Sequence, residues 1–165
     1  MRRGFVLVEV SVTYIILSLA LVALVPSFIM AIRAAKNNEQ IAAATQLSAE
    51  LMEEVRMRKW DQATPLPAAH IAAGSALGID TGETASDKRT FNDIDDFNGW
   101  TESTPRDPVM NALTDFPGYS RSVTVKYVDA SLAASAAVTD YKQVTVCTST
   151  KKLKPLCLNA ISTNR

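Results

Sequence analysis

The first residue with evident chemistry is a carboxylate set in an apolar stretch. Glu9 is the only charged residue between Phe5 and Ile32. An ionised carboxylate at bilayer depth costs several kcal/mol, so an acid in such a segment requires a partner. An amine freed by cleavage of the chain after Gly4 would be such a partner. The chemistry indicated by Glu9 is therefore ion pairing in an apolar environment.

A second group of reactive side chains lies near the middle of the chain. Asp93, Asp95, Asp96 and Asn98 can accept hydrogen bonds from nearby backbone amides, and Gly99 permits a left-handed turn. Clustered carboxylates beside a glycine also suit a hard cation such as Ca²⁺, although the spacing is not that of a helix–loop–helix calcium site. Two interpretations stay open. One is a structural Asx box of Asp93, Asp95, Asp96 and Gly99, and the other is a calcium site with the three aspartates as candidate ligands.

Composition and the remaining polar residues give little support to catalysis or nucleic-acid binding. His70 is the sole histidine, and no nucleophile–base pair, phosphate-binding loop or metal signature accompanies it. The chain has 17 basic and 17 acidic residues, and loss of Arg2 and Arg3 would leave a side-chain charge of about −2. We therefore expect neither an enzyme nor a nucleic-acid-binding protein. We expect no cofactor, with calcium left open.

The elements that position these residues begin with a segment of membrane length. About 28 residues at ~1.5 Å each exceed a hydrocarbon core of ~30 Å, so residues 5–32 are predicted to span a membrane as a helix. Pro26 removes a backbone donor, and we expect a bend or a locally melted turn there. A secretory signal peptide would have its cleavage site after the apolar region, and an ordinary anchor would leave Glu9 unexplained.

Beyond Ile32 the chain becomes amphipathic and later strand-like. Apolar residues at three- and four-residue steps predict that the helix continues to about Lys59. Alternating apolar and polar residues predict three antiparallel strands near 121–128, 142–147 and 156–161. These strands would cover the apolar stripe of the helix. The expected fold class is α+β, with a long N-terminal helix, half of it transmembrane, on a small antiparallel sheet. The stripe consists of Ala44, Leu47, Leu51 and Val55, and the residues expected to pin the acidic segment onto the core are Phe91, Ile94, Phe97 and Trp100.

The N-terminal residues resemble the prepilin leader of type IV pilins and type II secretion pseudopilins. The likeness rests on a basic leader ending at Gly4, on Phe5 as the next residue, on Glu9 and on Pro26. It implies cleavage between Gly4 and Phe5 by a prepilin peptidase and N-methylation of the Phe5 amine. It also implies assembly roles for Pro26 and for Glu9, which would pair with that amine in a neighbouring subunit.

The acidic segment resembles the box DVDDYxG found in minor pilins like those of the mannose-sensitive haemagglutinin pilus. In this chain the box reads DIDDFNG, from Asp93 to Gly99. Pilins often carry a disulfide near the C-terminus, which implies a bond between Cys147 and Cys157 in an oxidising compartment. The bond would close a loop of about 11 residues and contribute about 3 kcal/mol. Two separate thiols are the alternative.

These resemblances imply a minor pilin built from four segments: a leader at 1–4, a transmembrane and filament-core helix at 5–32, an amphipathic helix at 33–60 and a head domain at 61–165. The implied partners are other pilin subunits, prepilin peptidase, the inner-membrane assembly platform and, before assembly, membrane lipid. We expect a single-pass inner-membrane protein with a periplasmic head, which later enters a periplasmic or extracellular filament. The alternatives are a minor pseudopilin of type II secretion and a membrane-anchored adhesin or other binding protein.

Overall fold

A computed structural model describes residues 3–72, 74–151 and 153–165, with side chains from Val6 onward. Within that part of the chain the secondary structure consists of one long helix, a connecting segment with a 3-10 turn, and a four-stranded sheet. The fold is α+β, as predicted. The chain forms two compact units, Met1–Gln40 and Ile41–Arg165.

The first unit is helical throughout its described residues. Helix α1 runs from Arg3 to Arg56, and all side chains from Val6 to Glu39 are exposed. No glycine lies between Phe5 and Arg56, which favours an uninterrupted helix. By length and composition the helix is apolar enough to cross a membrane. It continues through Pro26, so the melted turn expected there is absent from the described helix.

The second half of α1 packs its apolar stripe inside the second unit. Leu47, Leu51 and Val55 are fully buried, as their helical spacing predicted. The helix ends at Arg56, three residues earlier than expected. The reason is that the backbone of Lys59 pairs with the acidic segment instead, where its carbonyl accepts a hydrogen bond from the Ile94 N–H at 3.0 Å.

The sheet is antiparallel, with the strands in chain order. Strand β1 is Thr101–Glu102, β2 is Tyr119–Val128, β3 is Tyr141–Thr150 and β4 is Leu153–Thr163. The three long strands were predicted; β2 begins two residues earlier than the alternating pattern indicated, and β3 and β4 extend beyond it at both ends. The short β1 was not predicted, because two residues carry no alternation. It extends the sheet by pairing with Arg121 and Ser122 of β2.

The core lies between the helix stripe, the inner face of the sheet and the aromatic residues of the acidic segment. Burial alternates along β2 and β3, as in a sheet with one covered face. The Phe91 ring meets the Phe97 and Trp100 rings edge-on, with centroids 5.0 Å and 5.4 Å away. Each such side chain contributes about 1.5–3 kcal/mol by leaving water. The buried core residues are Leu51, Met52, Val55, Phe91, Ile94, Phe97, Trp100, Val123, Val125, Val144 and Val146.

Candidate functional site

The acidic segment folds around its own carboxylates. Asp93 Oδ1 accepts hydrogen bonds from the backbone N–H groups of Asp95 at 3.0 Å and Asp96 at 3.4 Å. Asp96 Oδ2 accepts in turn from the N–H groups of Asn92 and Asp93, both at 2.9 Å. Aspartates bind nearby backbone amides in this way when they build turns. Asp93 and Asp96 thus hold one turn, which we call the aspartate turn, from both of its ends.

The aspartate turn is fastened to the sheet just beyond its end. Asn98 Oδ1 accepts a hydrogen bond from the Val125 N–H at 3.1 Å, and the Gly99 N–H donates to the Val123 carbonyl at 3.1 Å. Gly99 has a φ of +85°, a conformation that residues with side chains seldom adopt. Gly99 therefore allows the chain to enter β1 while it stays bonded to β2.

The carboxylate of Asp95 binds a buried lysine on β3. Lys142 Nζ lies 2.5 Å from Asp95 Oδ1, and both side chains have no exposed surface. The same ammonium donates to the Trp60 carbonyl at 2.6 Å and lies 4.2 Å from the centre of the Trp60 ring. A buried charge is tolerated only when it is paired and hydrogen-bonded, and these contacts meet that condition.

Asp61 is a second carboxylate near the same lysine. Its Oδ2 lies 3.7 Å from Lys142 Nζ and 2.8 Å from the Ser75 hydroxyl, which is also 3.2 Å from Asp95 Oδ2. Burial disfavours the charged form of Asp61. Two influences outweigh burial and hold the pKa of Asp61 below its usual value. One is the set of hydrogen bonds from the Ala63 N–H, the Ser75 N–H and the Ser75 hydroxyl, and the other is the positive charge of Lys142.

A separate group of carboxylates meets beside the aspartate turn. One carboxylate oxygen from each of Asp80, Asp93 and Asp96 lies within 4.8 Å of the others, and we call these three residues the acidic cluster. Asp93 and Asp96 are buried and Asp80 is half-buried. Glu83 borders the cluster, since its Oε2 accepts from the Asp80 N–H at 3.1 Å. Of the three calcium candidates from the sequence, Asp93 and Asp96 lie together in the structure, and Asp80 joins them. The third candidate, Asp95, binds Lys142 instead.

Burial and neighbouring carboxyl groups disfavour ionisation of the acidic cluster. Burial, followed by the neighbouring carboxylates of Asp95 and Asp96, raises the pKa of Asp93 to about 8. Burial and the carboxyl group of Glu83 raise the pKa of Asp96 to about 6. Burial and nearby aspartates also raise the pKa of Asp80. The arrangement can therefore bind a positive species, a proton or a metal ion, at these oxygens.

A second buried ionic group joins the helix, the connecting segment and two strands. Lys88 Nζ lies 2.8 Å from Glu54 Oε2 and 3.1 Å from Glu102 Oε1. Arg121 Nε donates to Glu102 Oε2 at 2.7 Å. These four residues, which we call the Glu102 network, contain two cations and two carboxylates. Their charges are matched, and the role that this geometry supports is to hold the elements together.

The N-terminal residues singled out by the sequence lie on the first unit. Glu9 is exposed, and its backbone carbonyl accepts a hydrogen bond from the Thr13 hydroxyl at 2.8 Å. Pro26 is likewise exposed. The backbones of Gly4 and Phe5 belong to the first turn of α1, and the Phe5 side chain lies outside the described residues.

Cys147 and Cys157 form a disulfide, which excludes the alternative of two separate thiols. They are direct partners in the register of β3 and β4, so the bond crosses between two neighbouring strands. His70 lies at the surface, with Nε2 3.2 Å from Asp140 Oδ1. More than half of each of these two side chains is exposed.

Sequence reasoning missed the buried cations, although a signal for two of them was present. Lys142 stands in phase with Val144 and Val146 on β3, and Arg121 stands in phase with Val123 on β2. A basic residue in the apolar phase of a strand indicates a buried cation that needs a partner. Asp80 carried no comparable signal, because only the folded chain brings it to the acidic cluster.

Comparisons with protein-family models, with curated proteins and with solved structures found no match to this chain. Its function is therefore inferred from its own residues and geometry.

Proposed function

We propose that this protein is a minor pilin or pseudopilin, a structural subunit of a type IV pilus-like filament that is held in the inner membrane before assembly. The observation that carries the proposal is the position of Glu9, four residues after Phe5 in a helix of membrane length. The resemblance of residues 4–9 to a prepilin cleavage junction supports the same conclusion.

The charge of Glu9 needs a partner from outside the described residues. Among the side chains described from Val6 onward, none forms an ion pair with Glu9. An ionised acid inside the apolar part of a membrane helix is costly unless it is paired. A free Phe5 amine of a neighbouring subunit would offset that cost and would set the register between the two helices.

The apolar surface of the first unit supports assembly of helix on helix. Large apolar side chains from Val6 to Ile32 are mostly more than half exposed. A monomeric soluble protein seldom exposes an apolar patch of this extent. Lipid would cover these side chains before assembly, and neighbouring helices would cover them in a filament.

The disulfide of the second unit supports export of this unit. Disulfides such as Cys147–Cys157 form and persist in oxidising compartments, including the bacterial periplasm. An exported head on a membrane-inserted helix is the arrangement that the proposal requires.

The proposal is tested by following Glu9→Gln into sheared filaments. The variant removes the charge with little change in size, and it leaves the amine of the neighbouring subunit unpaired. We expect the variant to reach the membrane normally and to fall at least about tenfold in filaments, since ~1.4 kcal/mol corresponds to a factor of ten. The measurement is the ratio of filament-bound to membrane-bound subunit on immunoblots.

Glu39→Gln is the matched control. It makes the same change at an exposed position of the same helix, beyond the apolar run, and should assemble like the wild type. Glu9→Gln at normal levels in filaments would refute the pairing mechanism. Wild-type protein that stays in the membrane fraction, with Met1 retained beside an active prepilin peptidase, would favour a membrane-anchored binding protein instead.

A further inference from the structure

Among the residues that the structure describes, none donates a hydrogen bond to three carboxylate oxygens of the acidic cluster. They are Asp80 Oδ2, Asp93 Oδ2 and Asp96 Oδ1, and each is shielded from solvent. Asp93 and Asp96 use their other oxygens to hold the aspartate turn. A buried acceptor without a donor is unfavourable, and such groups are rare in folded proteins. The cluster thus presents one unsatisfied oxygen from each of three carboxylates.

The spacing of these carboxylates suits a calcium ion. One oxygen from each of Asp80, Asp93 and Asp96 lies within 4.8 Å of the others. Ligand oxygens lie at ~2.4 Å from a Ca²⁺ ion, so oxygens up to about 4.8 Å apart can share one ion. Calcium also accepts irregular sets of six to eight oxygens, which include water.

The distribution of buried charge also points to a cation at the cluster. The Glu102 network contains one carboxylate for each cation, and Lys142 is already shared by two carboxylates of its own. Among the described residues no basic side chain forms an ion pair with Asp80, Asp93 or Asp96. A divalent cation would neutralise the charge that these three carboxylates concentrate.

We propose that Asp80, Asp93 and Asp96 bind one Ca²⁺ ion. The ion joins Asp80, in the connecting segment, to the aspartate turn and so fixes that segment on the sheet through Asn98 and Gly99. Asp95 is not a ligand, because Lys142 and Ser75 already hold its carboxylate. The site concerns the stability of the second unit and does not depend on filament assembly.

The test uses the full-length protein in detergent micelles, stripped with EDTA and dialysed, with CaCl2 as the probe. About 5 mM CaCl2 should raise the wild-type Tm by at least ~3 °C, given the weak affinity typical of extracellular calcium modules. Asp93→Asn and Asp96→Asn keep an oxygen that can hold the turn, so they should fold and lose the shift. Calorimetric titration should give one Ca²⁺ per chain for the wild type and none for the variants.

Two further variants keep the test decisive. Asp115→Asn removes the same charge at an exposed position and should keep the full calcium response. Asp80→Asn serves if Asp93→Asn does not fold, because Asp80 is half-buried and holds no part of the turn. A wild-type Tm that does not respond to CaCl2 overturns the proposal. A response that persists in Asp80→Asn, or an equal response to MgCl2 in wild type and variants, also overturns it.

Discussion

Lys142 and Asp95 form an ion pair in which Nζ lies 2.5 Å from Oδ1, and neither side chain has any exposed surface. The pair joins the second residue of β3 to the 3-10 turn of the connecting segment. Because β3 brings the lysine to the covered face of the sheet, its charge cannot be hydrated. The lysine therefore depends on Asp95, Asp61 and the Trp60 carbonyl together.

Lys142→Met should lower the free energy of unfolding by about 3–5 kcal/mol, because it leaves the buried charge of Asp95 without its partner. Chemical denaturation of the full-length protein in micelles, followed by tryptophan fluorescence, measures the change. Lys126→Met is the control, since Lys126 lies exposed on β2 and should change stability by less than about 0.5 kcal/mol. Equal decreases in the free energy of unfolding of the two variants would show that the buried ion pair does not stabilise the protein as proposed.

Asp61 should make the protein lose stability as the medium becomes acidic. The pKa of this carboxylate is lower in the folded protein than its usual value, so folding favours the ionised form. The stabilisation is present above the ordinary aspartate pKa of ~3.9 and is lost as the pH falls through the lower folded value. Asp61→Asn should thus be less stable than the wild type at pH 7, with the gap narrowing below about pH 4.

Thermal unfolding of wild type and Asp61→Asn between pH 2.5 and pH 7 measures that gap. The difference between the two proteins removes the contribution of the other acids. A gap that stays constant across this range would mean that the ionisation of Asp61 is not coupled to folding.

Removing the disulfide should lower stability without removing the fold. In the chain-entropy model a loop of this size contributes about 3 kcal/mol. We expect Cys147→Ser with Cys157→Ser to lose about that amount in chemical denaturation. Reduction of the wild type should have the same effect and should leave the double variant unchanged. Wild-type stability that is insensitive to a reductant would contradict the bond.

The regular elements could be predicted from the sequence because their patterns are local. The spacing of Leu47, Leu51 and Val55 indicated one helix face, and the alternation around Val123 and Val144 indicated two strands. The helix end could not be predicted, because Lys59 leaves the helix to bond with Ile94, which lies far along the chain. Local propensity contains no information about such a competing partner.

The acidic segment could be identified from the sequence, but the partner of each aspartate could not be predicted. The sequence singled out Asp93, Asp95 and Asp96 as equivalent members of one group. In the structure Asp95 binds Lys142, whereas the other two meet Asp80. The partner of each aspartate depends on which residues the fold places beside the aspartate turn, Lys142 of β3 and Asp80 of the connecting segment. Neither can be derived from the spacing of the aspartates alone.

Two residues of strand β3, Lys142 and Cys147, each depend on the register of that strand in the sheet. Lys142 and Cys147 are separated by an odd number of positions, so they project from opposite faces of the strand. A slip by one residue would turn the lysine out of the core and would move the cysteine away from Cys157. The burial of Lys142 and the bond between Cys147 and Cys157 therefore fix the same register of β3 from its two faces.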